Sequence, residues 1–237
     1  MNYKPILIVA GEPNSIFLEI FFKIKKNKFK RPIIIIASKK LLLNQMKMLK
    51  FNFKVNLIDK KNINYRDLDN KKINVIDVHF KFSKTFDIIS DKSNEYIKEC
   101  FRIAIKLLKT NKYIGMINGP ISKKNFLKEE FLGITEYLAH KTKQKKFAML
   151  IYNKNLSVCP ITTHLPLKDV SKNITKSKII NQAKLIHSFY KKKFKKIPNI
   201  AITGLNPHCE SNYSSSEEKN IIIPSIEYLA KKKIKLD

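Results

Sequence analysis

The run Ile33-Ile34-Ile35-Ile36-Ala37 constrains the fold more than any other stretch of this chain. It has no polar face to offer water, so as a strand it must be covered on both sides. Ile6-Leu7-Ile8-Val9-Ala10 has the same character. Between the two lie a turn, Gly11-Glu12-Pro13-Asn14-Ser15, and an apolar helix to about Lys25, and a second helix is read over 41–50. Val55–Ile58 and Val75–Val78 read as further strands. Over Ser93–Leu108 the residues Ile97, Cys100, Phe101, Ala104, Ile105 and Leu108 recur at helical spacing, with Ser93 as the N-cap. A strand over Tyr113–Asn118 ends in Gly119-Pro120. Phe147–Tyr152 and Leu156–Thr162 are expected to pair across the turn Asn153-Lys154-Asn155. A helix over Thr175–Tyr190, a strand over Ile200–Thr203 and a helix from Ser216 to about Lys231 follow. Strands alternating with helices predict an α/β fold with a largely parallel sheet.

The 237 residues suffice for one large domain or two small ones. No apolar run approaches the length of a membrane span, and the first apolar stretch is too short for a signal-peptide core, so a soluble, cytoplasmic protein is expected. Cys100, Cys159 and Cys209 are odd in number and widely spaced, which implies neither a disulfide framework nor a zinc finger. The net charge of +29 raises the question of nucleic acid. Of the 48 basic residues, however, only Arg31, Arg66 and Arg102 are arginine, the side chain whose planar fork reads bases and phosphates. With five glycines against abundant Lys, Asn and Ile, the composition reflects an AT-rich coding bias, and the lysines are scattered. A basic nucleic-acid-binding protein therefore remains a distant alternative; no nucleic acid and no membrane are expected as partners. The charge would still attract phosphorylated small molecules.

In open α/β sheets ligands gather at the carboxyl ends of strands. Three such ends here are unusually polar: Asn118-Gly119-Pro120-Ile121-Ser122-Lys123, Thr162-Thr163-His164-Leu165-Pro166-Leu167 and Gly204-Leu205-Asn206-Pro207-His208. Two of them carry a histidine close to a proline that fixes the local backbone. Imidazole suits zinc and other transition metals, and a catalytic zinc usually takes three protein ligands and keeps one position open. A lone histidine after a strand is nonetheless more often a turn residue than a ligand. His79, His140 and His187 read as structural or exposed. No Gly-x-Gly-x-x-Gly, Walker A or Gly-x-Ser-x-Gly pattern is present. The residues alone thus reach an α/β enzyme with a two-histidine candidate metal site.

Taken in order, five blocks resemble the 4-hydroxythreonine-4-phosphate dehydrogenase family of vitamin B6 biosynthesis. They are Ala10-Gly11-Glu12-Pro13, Gly119-Pro120-Ile121-Ser122-Lys123, Gly133-Ile134-Thr135-Glu136-Tyr137-Leu138-Ala139, Thr162 to Leu167 and Gly204 to His208; Glu217-Glu218 before an apolar helix fits as well. The resemblance implies an isopropylmalate-dehydrogenase-like fold of two α/β/α domains around a cleft, here 1–118 and 119–237, in a homodimer with the active site at the interface. It implies oxidation of 4-phosphohydroxy-L-threonine by NAD or NADP, followed by decarboxylation to 3-amino-2-oxopropyl phosphate. A divalent ion (zinc, magnesium or cobalt) would favour ionisation of the alcohol and then polarise the ketone. By motif, His164 and His208 become metal ligands and Thr135 a substrate contact. Lys123 is a candidate for the substrate phosphate or carboxylate, and equally a helix-start residue.

The sequence also departs from the family. Family members continue past Asp237 with a third metal histidine, so the chain is expected to be C-terminally incomplete, with weak metal binding and little activity alone. The family's Gly-His-Thr-Glu is Gly133-Ile134-Thr135-Glu136 here, the first turn continues as Asn14-Ser15-Ile16-Phe17, and Cys209 to Ser216 contains no glycine. A shifted substrate, such as a phosphorylated sugar acid like phosphothreonate, and an inactive truncated homologue are the alternatives these changes raise.

Overall fold

A computed structural model describes residues 3–27, 29–128, 130–206, 208, 209, 214 and 216–236. The chain divides into two compact units, Met1–Glu130 and Phe131–Asp237.

In the first unit the apolar runs become strands of one parallel sheet. β1 (Ile6–Val9), β2 (Ile33–Ala37), β3 (Val55–Leu57), β4 (Ile73–Asp77) and β5 (Gly115–Asn118) lie in the order β3-β4-β2-β1-β5. Every residue of β2 is buried, as its uninterrupted apolar sequence requires. Strand side chains alternate between faces. Ile8, Ile33, Ile35, Ile73 and Val75 therefore share one face, where they pack with Leu18, Phe21 and Phe22 of α1 (Phe17–Ile24) and Leu42 and Met46 of α2 (Lys39–Met48). Leu7, Val9, Ile34, Ile36 and Ile76 point the other way and are buried as well. α3 (Asn94–Leu108) packs on β1, β2 and β5 and buries Ile97, Cys100, Phe101 and Ala104 at the helical spacing expected.

Two local features of this unit follow from close packing at strand ends. A Cβ on Gly119 would lie 2.1 Å from the Ala10 carbonyl oxygen, and one on Gly11, at φ +75°, would lie 2.3 Å from that of Pro120. Only glycine lets these turns touch. Ser93, expected to cap α3, makes no capping bond. Its hydroxyl instead donates to Glu12 Oε2 at 2.7 Å. Glu12 is buried, and an unsatisfied buried carboxylate costs more than an uncapped helix end.

The second unit is built differently. It contains α4 (Ile134–Lys141), α5 (Lys176–Phe194) and α6 (Ile223–Lys231); α5 and α6 frame small apolar clusters, one around Ile174, Ile179 and Ile222 and another around Ala183, Leu229 and Ile234. The expected strands shrink here to isolated bridges. Ile151 and Val158 exchange backbone hydrogen bonds of 2.8 and 3.0 Å, and Ile200 bridges Leu236. The two segments expected to pair do meet antiparallel at this one bridge, but no ladder forms around it among the described residues. A wide turn, Glu218–Ile222, precedes α6 and ends beside Pro224, which has no N–H to continue a regular helical ladder. Among the described residues no helix is long and apolar enough to cross a membrane.

Candidate active site

Thr135, His164 and His208 fall in the second unit, and Lys123 falls in the first. Lys123 is exposed and opens the short helical turn Lys123–Leu127, capped by Ser122, whose Oγ accepts from Asn125 N at 3.1 Å.

His164 has a left-handed backbone, φ +58°. That is uncommon for a residue with a Cβ and costs on the order of 1 kcal/mol. The turn brings the imidazole to the start of α4. A Cβ placed on Gly133 would lie 3.5 Å from His164 Cδ2 and Nε2 and 3.0 Å from Glu136 Oε2. The glycine is thus needed for space, since its φ of −164° is open to any residue. Thr163 Oγ1 donates to Glu136 Oε1 at 3.2 Å, tying the histidine loop to the helix. The other oxygen, Glu136 Oε2, is buried and has no hydrogen-bond partner. Thr135, Glu136, Thr163 and Leu165 line a cavity of about 330 Å³ together with Lys146 and Phe147. The site side chains therefore border a space large enough for a small phosphorylated ligand, with cationic and apolar walls. Neither His164 nor His208 is among its lining residues.

His208 sits on a second turn. Its backbone N–H donates to Asn206 Oδ1 at 2.9 Å, and Cys209 N donates to Asn206 O at 3.0 Å. The turn closes on Gly204, where a Cβ would come within 2.8 Å of Cys209 Cα. Glu218, at the start of the turn before α6, secures it: Oε1 accepts from Leu205 N at 3.0 Å and from Asn206 Nδ2 at 3.5 Å, and Oε2 accepts from Ser216 Oγ at 2.9 Å. The Leu205 N–H above all, then the N–H of Glu218 itself and the Ser216 hydroxyl, hold this carboxyl below the usual carboxylate range. Pro207, Glu210 to Tyr213 and Ser215 lie outside the described residues, and with them most of the glycine-free stretch noted after His208.

Both imidazoles are exposed, and no hydrogen bond engages either ring among the described residues. Imidazole as a donor suits a divalent cation, and the unpartnered Glu136 Oε2 lies beside the same Gly133 that His164 approaches. Among the described residues no group of three or more His, Cys, Asp or Glu side chains gathers in a metal-holding arrangement. The remaining histidines lie elsewhere: His79 and His140 are exposed, the latter with its ring tilted at 50° to that of Phe131 at 5.3 Å, and His187 is half-buried in α5. Glu136 and Glu218 acquire no role from the sequence alone. Their signals are membership of, or proximity to, the motif blocks and an acidic residue in the first turn of a helix, where the dipole favours it in any protein; neither assigns a role.

The profile of the family described as "Pyridoxal phosphate biosynthetic protein PdxA" matches residues 28–237. A 4-hydroxythreonine-4-phosphate dehydrogenase of Sulfurihydrogenibium sp. (strain YO3AOP1) is 36% identical over 233 residues, which cover 94% of this chain and 70% of the relative. The enzyme of that name from Aquifex aeolicus is 32% identical over 243 residues, covering 98% and 72%. Among solved structures, the 4-hydroxythreonine-4-phosphate dehydrogenase of Klebsiella pneumoniae superposes with a TM-score of 0.83 at 23% identity, covering 99% of this chain and 74% of that one. That of Burkholderia phymatum does so at 0.81 and 21% identity, covering 100% and 74%. These structures share the α/β fold with its parallel sheet.

Proposed function

Since this chain belongs to the pyridoxal phosphate biosynthetic protein PdxA family, we propose that it oxidises 4-phosphohydroxy-L-threonine at its secondary alcohol. Hydride passes to NAD or NADP and the hydroxyl proton is released. The resulting β-keto acid then breaks its bond to the carboxyl carbon, so that carbon dioxide leaves, the ketone takes up the electron pair and a proton completes 3-amino-2-oxopropyl phosphate. In this reading His164 and His208 hold a divalent cation, zinc, magnesium or cobalt. Such an ion, when bound, supplies Lewis acidity for both stages. Thr135 offers a hydroxyl at the N-terminal end of α4, where backbone N–H groups and the helix dipole favour an anionic substrate group. Lys123 contributes a cation for the phosphate or carboxylate. An isopropylmalate-dehydrogenase-like architecture, a homodimer and a cytoplasmic location belong to the same reading.

The observation that carries this reading is the Gly133 junction, where a strained His164 meets the helix start bearing Thr135 and Glu136. A left-handed histidine and a carboxylate with one buried, unpartnered oxygen, both at the same glycine, are costly unless the site uses them. The test is formation of reduced nicotinamide on adding 4-phosphohydroxy-L-threonine, before and after chelation and in His208→Ala. Turnover that depends on the hydroxy amino acid phosphate, and is lost under both treatments, is expected. Turnover indifferent to chelator and to the substitution would remove the metal from the account. Phosphothreonate is the comparison substrate, because Ile134 occupies the helix position next to Thr135. A preference for it would move the substrate while keeping the mechanism.

A further inference from the structure

Glu218 takes no part in the chemistry above, yet it is 5% exposed and both of its oxygens are engaged. Its partners are not those of a helix cap. Oε1 reaches back 13 residues to the Leu205 N–H and 12 to the Asn206 amide, and Asn206 in turn accepts the His208 N–H. Oε2 takes the hydroxyl of Ser216, which is 2% exposed. A carboxylate, a side-chain amide and a backbone N–H thus run in series from the first turn of a helix to the histidine.

We propose that Glu218 is a positioning residue that sets the placement of His208 through Asn206, so that the imidazole is presented to a divalent cation without reorganisation of its loop. The proposal rests on the metal reading of His208 and extends it to a residue that touches neither metal nor substrate. The physical case is one of ordering. His208 is exposed and no hydrogen bond engages its ring among the described residues, so its backbone is what can be fixed in advance. A loop left free must lose conformational freedom when the ion binds, at a cost in affinity. Outer partners that remove this cost typically change metal affinity about 10- to 100-fold. The carboxylate is suited to the task because it accepts at two oxygens at once and is held in its charged form by the N–H groups around it.

The test uses amide hydrogen exchange and a zinc titration followed by the imidazole NMR signals of His208. In the metal-free protein the Leu205 and His208 amides are expected to be protected. Glu218→Ala should lose both protections, Asn206→Ala only that of His208, and Glu218→Gln, whose carbonyl still accepts from Leu205 while its amide donates to Ser216, neither. Zinc affinity should fall about tenfold or more in the two alanine variants and stay near wild type in Glu218→Gln. In a His208→Ala background, Glu218→Ala should have no further effect on zinc affinity. Asn206→Ala keeps the bonds of Glu218 to Leu205 and Ser216, so it carries the test even if Glu218→Ala unfolds. Wild-type zinc affinity in both alanine variants would overturn the positioning role and leave the metal reading standing. A loss in Glu218→Ala without one in Asn206→Ala would overturn the relay. A wild-type His208 signal that ignores zinc would remove the metal reading and the proposal together.

Discussion

The first unit has a large buried core, whereas the second has only small apolar clusters. In the first, β2 is wholly buried and Ile34, Ile35 and Ile36 are 0% exposed. In the second, Ile151, Leu156, Val158 and Ile197 are 60%, 74%, 53% and 66% exposed. Yet the second unit carries both candidate ligand histidines, the left-handed turn, the half-satisfied Glu136 and the cavity. Stability is concentrated where the chain is dull and chemistry where it is irregular, which is how a rigid sheet can coexist with loops that carry function.

The largest test of this contrast is a pair of truncations. Ile35→Ala should cost about 4 kcal/mol of stability in a denaturant titration, because it empties part of a closed core. Ile151→Ala should stay within about 0.5 kcal/mol, because the side chain is mostly in water already. Comparable losses would erase the distinction between the units. A finer test uses matched helix caps. Ser38 Oγ accepts from Leu41 N at the start of α2, and Thr175 Oγ1 from Lys178 N at the start of α5. Ser38→Ala and Thr175→Ala should each cost about 1 kcal/mol. Residue-resolved hydrogen exchange should show the first loss in β1 and β2 and the second only around α5 and α6. A uniform loss over the whole chain from either change would make the two units one cooperative body.

Acid should act on the second unit through Glu218. Its carboxyl is held below the usual range in the folded state, so the unfolded chain binds the proton more readily. The contribution is present in full above the unfolded pKa and is lost as pH falls through the folded one. Exchange protection around Leu205 and α6 should therefore weaken as pH drops below the usual carboxylate range, and Glu218→Gln should flatten that dependence. The smallest effect is chemical. Cys209 is exposed, whereas burial pushes the Cys100 thiol up to about 12. A thiol reagent at neutral pH should modify Cys209 in the native protein and reach Cys100 only on unfolding. Early modification of Cys100 would show that the first core opens more readily than its burial implies.

The same contrast explains what could be read from the sequence. β2 was legible to the residue, because a strand buried on both faces must be apolar throughout. Phe147–Tyr152 and Leu156–Thr162 resembled strands by composition, but composition cannot tell whether neighbours exist to build a ladder, and only Ile151 and Val158 pair. Ser93 had the right residue type for a cap and was diverted by Glu12, 81 positions away. The histidines stood out through their motif neighbours. Glu136 and Glu218 lie in the same motif resemblance but drew no role from it, because their partners Thr163 and Leu205 lie 27 and 13 residues away, on loops whose return to a helix start no periodicity announces.

The central claim is that a divalent ion is held by histidines of the second unit. Calorimetric titration of zinc into the wild type, His164→Ala, His208→Ala and His79→Ala, the last an exposed histidine of the first unit, tests it most directly. The account predicts that each of the first two substitutions weakens binding by about tenfold or more, while His79→Ala binds as the wild type does. Equal affinity in all four proteins, or a loss confined to His79→Ala, would contradict it.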